Sequence, residues 1–203
     1  MSVTHVNRKG DTYYLLQSVT KTGKPKYYVS KKPGANTVDQ VPEGYEVYEH
    51  PADGMVYVRK IRPTGILPGE RSTAIAIIRE ITKRDVFFAE REGDSLVIYW
   101  PERDPVALGA MMSKIFGIPL DAGRSSTETS GGLIDKGVLL LLRTSPVLRF
   151  TLEDEAKRTF AAERMCHRGA KEFWLPISKT ASLQELVRLF APHLGQESMY
   201  ELL

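Results

Sequence analysis

Residues 12–32 read TYYLLQSVTKTGKPKYYVSKK, two aromatic and β-branched runs on either side of a Lys-Thr-Gly-Lys-Pro turn. Tyr13, Tyr14, Tyr27 and Tyr28 bracket the turn, and Lys21, Lys24, Lys26, Lys31 and Lys32 decorate it. Lysines neutralise phosphates, and tyrosine rings offer stacking faces to unpaired bases. A two-stranded ribbon of this kind also fits a major groove. The same residues suit a plainer role, because tyrosine is common in strands and lysine protects a sheet edge from aggregation. No standard nucleic-acid-binding signature accompanies them.

Other groups with chemical potential are weaker. Met165-Cys166-His167-Arg168 places the single thiol next to a histidine. A cysteine nucleophile needs a base that lowers its pKa, yet neighbouring residues on a strand point to opposite faces. Cys166 therefore reads as a buried structural residue. His5, His50, His167 and His193 show no metal-ligand spacing, and no metal site or cofactor is expected. Glu153-Asp154-Glu155 reads as a solvated turn rather than an acid–base pair. The run GRSSTETSGG at 123–132 could present backbone N–H groups to a phosphate, but it lacks the P-loop pattern and follows a helical segment. Met111-Met112 and the tail residues Met199, Tyr200 and Leu203 could form an adaptable partner surface.

The elements that must position these groups can be read from pattern. Alternation over 12–20 sets Tyr13, Leu15 and Val19 on one face and Tyr14, Leu16 and Ser18 on the other, and 26–32 returns as the partner strand. Residues 1–10 are polar and expected to fray. A second hairpin pairs 45–49 with 55–59 across an Asp-Gly turn, giving a four-stranded antiparallel module over 12–61. Residues 62–69 hold two prolines and two glycines and read as a linker.

Ala74, Ile77, Ile78 and Ile81 predict a helix over 70–83. A third hairpin follows, 86–91 with 96–100, turning at Gly93-Asp94. Asp104 and Pro105 then open a helix over 105–116, striped by Leu108, Met111, Met112 and Ile115 and closed by Gly117. Residues 137–142 suit a strand buried on both faces, and Thr144-Ser145-Pro146 should break it. Residues 147–152, 158–167 and 172–177 form a meander. The capping box Ser182-x-x-Glu185 opens a last helix that Pro192 ends near Ala191.

Composition narrows the classes. The chain has 203 residues, 42% hydrophobic and 26% charged, as in an ordinary folded soluble protein. One cysteine excludes an intramolecular disulfide framework. No apolar run approaches a membrane span and no signal peptide is visible at the start, so a cytoplasmic protein without membrane contact is expected. Net charge is +3, but residues 1–32 carry seven Lys/Arg against one acid, while 33–58 carry five acids and no Lys/Arg. Neighbouring strands that neutralise each other would account for this, as would one basic and one acidic hairpin face.

The expected architecture is α+β: an antiparallel β module (1–62), a linker (63–69) and an α+β domain (70–203) of antiparallel sheet and helices. The expected function is non-catalytic binding of a protein partner, or self-association, through Tyr13, Tyr14, Lys21, Lys24, Lys26, Tyr27 and Tyr28. Two alternatives stand beside it. One is nucleic-acid binding through the same face. The other is an enzyme with a site between the two parts and the 123–132 loop as its lid.

Overall fold

The computed structural model describes residues 2–117 and 142–202. The fold is α+β, with helices and three antiparallel sheets. Two compact units are present, one within residues 1–62 and 104–142, the other within 63–103 and 143–203.

In the first unit, β1 (Thr4–Val6), β2 (Thr12–Val19) and β3 (Pro25–Ser30) form one antiparallel sheet in that order. The expected fraying of residues 1–10 is overturned: β1 pairs with β2 from Thr4↔Tyr14 to Val6↔Thr12. The intervening turn is organised by Asn7, a buried side chain. Its Oδ1 accepts the Lys9 and Asp11 backbone N–H groups at 3.1 and 2.9 Å, and its Nδ2 donates to the Gly54 carbonyl at 2.8 Å. Burying an amide is tolerable because its donors and acceptors are so filled.

β4 (Tyr45–Glu49) and β5 (Val56–Lys60) make the second hairpin in the expected register region, paired from Tyr45↔Lys60 to Glu49↔Val56. The four strands do not form one sheet, however; β4 and β5 stand as a separate two-stranded sheet. The side of β2 away from β3 is taken by β1 and by residues 36–38, with Gln17 N–H donating to the Asn36 carbonyl at 3.0 Å and Val38 N–H to the Leu15 carbonyl at 3.0 Å.

The first unit also contains α2 (Pro105–Phe116), with the expected bounds. Asp104 caps it, its carboxylate accepting Val106 N–H at 2.7 Å, and Gly117 at φ +68° closes it. Its predicted apolar stripe is only partly buried: Leu108 is enclosed, whereas Met111 and Ile115 are exposed.

The second unit carries a continuous meander, β6 (Phe88–Glu92), β7 (Ser95–Pro101), β8 (Thr144–Asp154), β9 (Thr159–Arg168) and β10 (Lys171–Pro176), each antiparallel to the next. The short β11 (Ala181–Ser182) also pairs with β9. Thr144-Ser145-Pro146 was expected to end a strand; instead it lies within β8. Register shifts between Ile98 and Tyr99, where Pro146 sits opposite Tyr99. A proline removes a ladder donor, and such an irregularity is where a sheet accommodates that loss.

Two helices, α1 (Pro68–Thr82) and α3 (Leu183–Phe190), share one core with this sheet. Ala74, Ile77 and Ile78 from α1 and Leu183, Leu186, Val187 and Phe190 from α3 meet Leu96, Ile98, Leu148, Phe150, Phe160 and Ala162. Those strand residues are alternate positions, so one sheet face is apolar, as the period of two requires. Ile66, inside the Pro/Gly segment read as a linker, is 1% exposed in the same core. Glu70 accepts the Leu67 N–H at 2.8 Å and pairs with Arg158, whose Nη2 also donates to the Gly65 carbonyl at 2.9 Å. The α1 N-terminus is thereby tied to the β8–β9 turn. The expected strand over 137–142 lies outside the described residues apart from Leu142, which is buried.

Two substitutions test this core. Phe150→Ala, at a fully enclosed position, is expected to lower unfolding free energy by about 3–5 kcal/mol in urea titration. Gly195→Ala places a Cβ 2.5 Å from Trp100 Nε1 at φ +74°, and a loss of about 1–3 kcal/mol is expected from the crowding alone. An unchanged midpoint for either variant contradicts the packing described.

Candidate binding surface on the amino-terminal hairpin

The β2–β3 register runs from Tyr14↔Ser30 through Leu16↔Tyr28 and Ser18↔Lys26 to Val19↔Pro25. Residues opposite one another share a face. Tyr14, Leu16, Ser18, Lys26 and Tyr28 therefore lie on one side of the ribbon; Tyr13, Leu15, Val19 and Tyr27 lie on the other. The four tyrosines divide two and two, so the seven residues expected to make one contact surface are not on one face.

Tyr13 is 7% exposed and Leu15 beside it 1%. Lys31 Nζ stands 5.7 Å from the centre of the Tyr13 ring and pairs with Asp11 at 2.7 Å. Tyr27 meets Tyr45 edge to face, ring centres 5.0 Å apart. Around Tyr13, Leu15 and Tyr27 this side of the ribbon is occupied by the first unit's own residues, whereas Val19, on the same side, is exposed. On the other side Leu16 is buried, and a Cβ at Gly34 would stand 3.0 Å from its Cδ2. Tyr14 is half-buried, while Tyr28 is exposed, its hydroxyl taking an Asn36 amide at 3.3 Å.

The turn is built by Thr20. Its Oγ1 takes part in contacts with the Lys24 carbonyl at 3.0 Å and the Lys24 N–H at 3.1 Å, and Gly23 at φ +77° donates its N–H to the Thr20 carbonyl at 2.9 Å. A positive φ is what glycine supplies without steric cost. Lys21, Lys24 and Lys26 project from this turn, all exposed.

The charge pattern resolves into pairs and remainders. Glu49 pairs with Arg8 and with His5, Nε2 to Oε2 at 3.3 Å; Glu46 pairs with Arg59 at 2.7 Å. The Arg59 guanidinium also lies 3.4 Å from the Tyr48 ring centre. Burial pushes Arg8 below its ordinary value, opposed by Glu49 and Asp53. The hydrogen bond to Asp11 raises Lys31 above its ordinary value. Lys21, Lys24, Lys26 and Lys32 make no ion pair among the described residues. Neutralisation within the first unit thus covers Arg8, Lys31 and Arg59 and leaves the turn lysines, together with Lys9, Lys60 and Arg62, without an ion pair among the described residues.

The remaining candidates are dispersed. Cys166 was expected to be buried; it is half-exposed, and Arg164 Nη1 lies 3.0 Å from its Sγ. Its neighbour His167 points to the opposite face, 3.7 Å from Glu172. No group of three or more His, Cys, Asp or Glu able to hold a metal occurs among the described residues. Asp154 is held below its usual range chiefly by the Lys157 backbone N–H, a turn role. Met199 is buried and Leu202 borders the second unit's core, whereas Tyr200 is exposed. Residues 123–132 lie outside the described residues, and no described helix is long and apolar enough to cross a membrane.

One polar row escaped the sequence reading. On the sheet face away from the second unit's core, Glu163 Oε2 accepts from Arg149 Nε at 2.7 Å and Thr151 Oγ1 at 2.9 Å. Thr151 in turn meets Ser95 at 3.0 Å, and Arg149 stacks 4.6 Å from the Trp174 ring centre. The signal was available: Arg149, Thr151 and Glu163 occupy the polar phase of two alternating strands.

Comparison with protein-family models, with curated proteins and with solved structures finds no match.

The Arg149 hydrogen bond, with a smaller contribution from Thr151, holds the Glu163 carboxyl below the usual carboxylate range. A depressed folded pKa stabilises the native state above the ordinary carboxylate value, about pH 4.3, and that stabilisation fades as pH falls toward the folded value. Glu163→Gln is expected to cost about 1–2 kcal/mol at pH 7. Paired urea titrations from pH 7 to 3 should show the gap between the two proteins closing below about pH 4; a gap independent of pH contradicts the ion pair.

Proposed function

We propose that this is a non-catalytic binding protein that takes an anionic partner on the β2–β3 hairpin. The observation that carries the reading is the set of exposed turn lysines, Lys21, Lys24 and Lys26, without ion pairs among the described residues, in a unit whose Arg8, Lys31 and Arg59 are paired. Exposed cations without fixed counterions attract an anion at little desolvation cost and set up a field that steers it. The contact set is smaller than the seven residues read from sequence: Tyr13 is enclosed and Tyr27 engages Tyr45.

A second reading, contact with single-stranded nucleic acid, is favoured by one feature. Tyr14 and Tyr28 share the ribbon face with Lys26, which brings a ring and a cation to the same side. Stacking on such a ring is worth about 1–3 kcal/mol per base.

Both readings are tested with two probes, poly-L-glutamate and a dT20 oligonucleotide, in fluorescence titrations against the full chain. Binding of at least one probe is expected, weakening with salt. Lys24→Glu combined with Lys26→Glu should weaken it at least about tenfold with the melting temperature unchanged. With the four unpaired lysines contacting phosphates, the log K against log salt slope for dT20 should be about −3. Tyr28→Ala should affect dT20 alone. Binding indifferent to both salt and charge reversal removes the hairpin as the contact surface.

A further inference from the structure

We propose that β10, the edge strand of the second unit's sheet, pairs antiparallel with β10 of a second copy of this chain, joining two sheets into one. This surface belongs to the second unit and owes nothing to the hairpin lysines.

The direction of each backbone group on β10 follows from β9. Ala162 N–H donates to Ser178 Oγ at 2.9 Å, and the Ala162 carbonyl accepts from Ile177 N–H at 2.9 Å. Both backbone groups of Ala162 therefore face the β10 side. Direction alternates along a strand, so Arg164, Cys166 and Arg168 face β10 as well. The residues opposite them, Leu175, Phe173 and Lys171, turn their backbone groups to β9. Glu172 and Trp174 lie between and turn theirs to the outer edge. Pro176 offers a carbonyl there and no N–H.

The sheet order ends at β10, and among the described residues no backbone hydrogen bond reaches Glu172 or Trp174 from outside. The second unit is described throughout 63–103 and 143–202, so it holds no further strand of its own to fill the place. Lys171, Glu172 and Phe173 are exposed, Phe173 by 44%. The opposite edge is guarded: Arg71 Nε donates to the Ala89 carbonyl on β6 at 2.6 Å. An unpaired strand edge is a template for another strand, and this sheet keeps such an edge at one end only.

Register and charge select a second copy as the occupant. Across a two-fold axis, outward-facing residues must meet outward-facing residues. Glu172 opposite the partner's Glu172 would set carboxylate against carboxylate. Trp174 opposite the partner's Trp174 would set Glu172 against Pro176, which cannot donate. Glu172 opposite the partner's Trp174 avoids both and completes the hydrogen-bonded pairs. Phe173 then sits on the axis, facing the partner's Phe173 in the close, non-hydrogen-bonded kind of pair, with Cα atoms about 4.5 Å apart. Charge agrees with this register. Each Glu172 comes to the ring that carries Arg149, whose guanidinium lies 4.6 Å from the Trp174 ring centre, and Lys171 lies opposite the partner's Leu175. No like charges stand opposite one another. A peptide of other sequence would satisfy the backbone groups but not this side-chain match. A two-fold contact uses both free edges at once, so with β6 guarded the assembly closes at a dimer.

The test is sedimentation equilibrium of the full chain over about 1–100 µM. A monomer–dimer equilibrium is expected. Phe173→Lys, at an exposed position, sets like charges face to face and should weaken the dimer at least about tenfold, with the far-UV circular dichroism spectrum unchanged. Phe173→Glu should do the same. An equimolar mixture of these two variants should restore the dimer, because the axis places position 173 opposite itself. Glu172→Pro, which removes an outward N–H and leaves the β9 ladder intact, should also weaken the dimer about tenfold. A wild-type chain that stays monomeric over the whole range overturns the proposal. So does a dimer that survives Phe173→Lys and Glu172→Pro, since it must use another surface. A mixture of the two folded charge variants that stays monomeric overturns the register, and larger assemblies overturn the closure at β6.

Discussion

β2 is paired on both sides, and the first unit's architecture depends on that. One side is divided between β1 and residues 36–38; the other belongs wholly to β3. A strand's backbone groups alternate in direction, so fixing Leu15 and Gln17 toward the first side fixes which groups of β3 are left facing outward. The second hairpin is not part of that sheet. It stands as its own two-stranded ladder and is tied to the first by side chains, through Arg8 with Glu49 and Asn7 with Gly54. A two-stranded ribbon alone is marginal in water, and these buried polar ties are what the sequence supplies in place of a shared ladder.

The second unit follows a different rule. Its sheet is a meander with apolar residues at alternate positions facing α1 and α3, and a reverse face on which polar residues sit beside the buried Val97. On that reverse face Arg149, Thr151 and Glu163 satisfy one another, and the aromatic ring of Trp174 covers the guanidinium. The arrangement is that of an ion pair on a sheet face: Glu163 Oε2 accepts from an arginine and a hydroxyl, and the carboxyl is shifted toward the ionised form. A group poised for proton transfer near neutral pH needs the opposite shift. This cluster therefore belongs to the stability of the sheet.

Much of the fold was legible because its signals are local. The Asp104 and Ser182 caps, the Gly93 turn and the alternation of β2 are all properties of a few consecutive residues, and the structure has them where the pattern puts them. What was not legible depends on distant partners. Nothing in residues 2–10 announces a strand, because the donors and acceptors that order Thr4–Val6 belong to β2. Pro146 reads as a breaker until its neighbour Tyr99 is known to lie at a register shift. The α2 stripe has helical spacing, but spacing says which residues share a face and not whether anything covers it; Met111 and Ile115 are exposed.

The hairpin shows the same division within a single element. Its tyrosines and lysines were identified by composition, which treats them as one group. Parity divides them: Tyr13 and Tyr27 lie on one side of the ribbon, where Tyr13 is buried and Tyr27 meets Tyr45, and Tyr14, Lys26 and Tyr28 lie on the other, where Lys26 and Tyr28 are exposed. Charge complementarity then acts a second time. Asp11 holds Lys31, and two of the five acids of the neighbouring segment, Glu46 and Glu49, hold Arg59 and Arg8. Lys21, Lys24 and Lys26 pair with none of these acids and stand exposed around the turn.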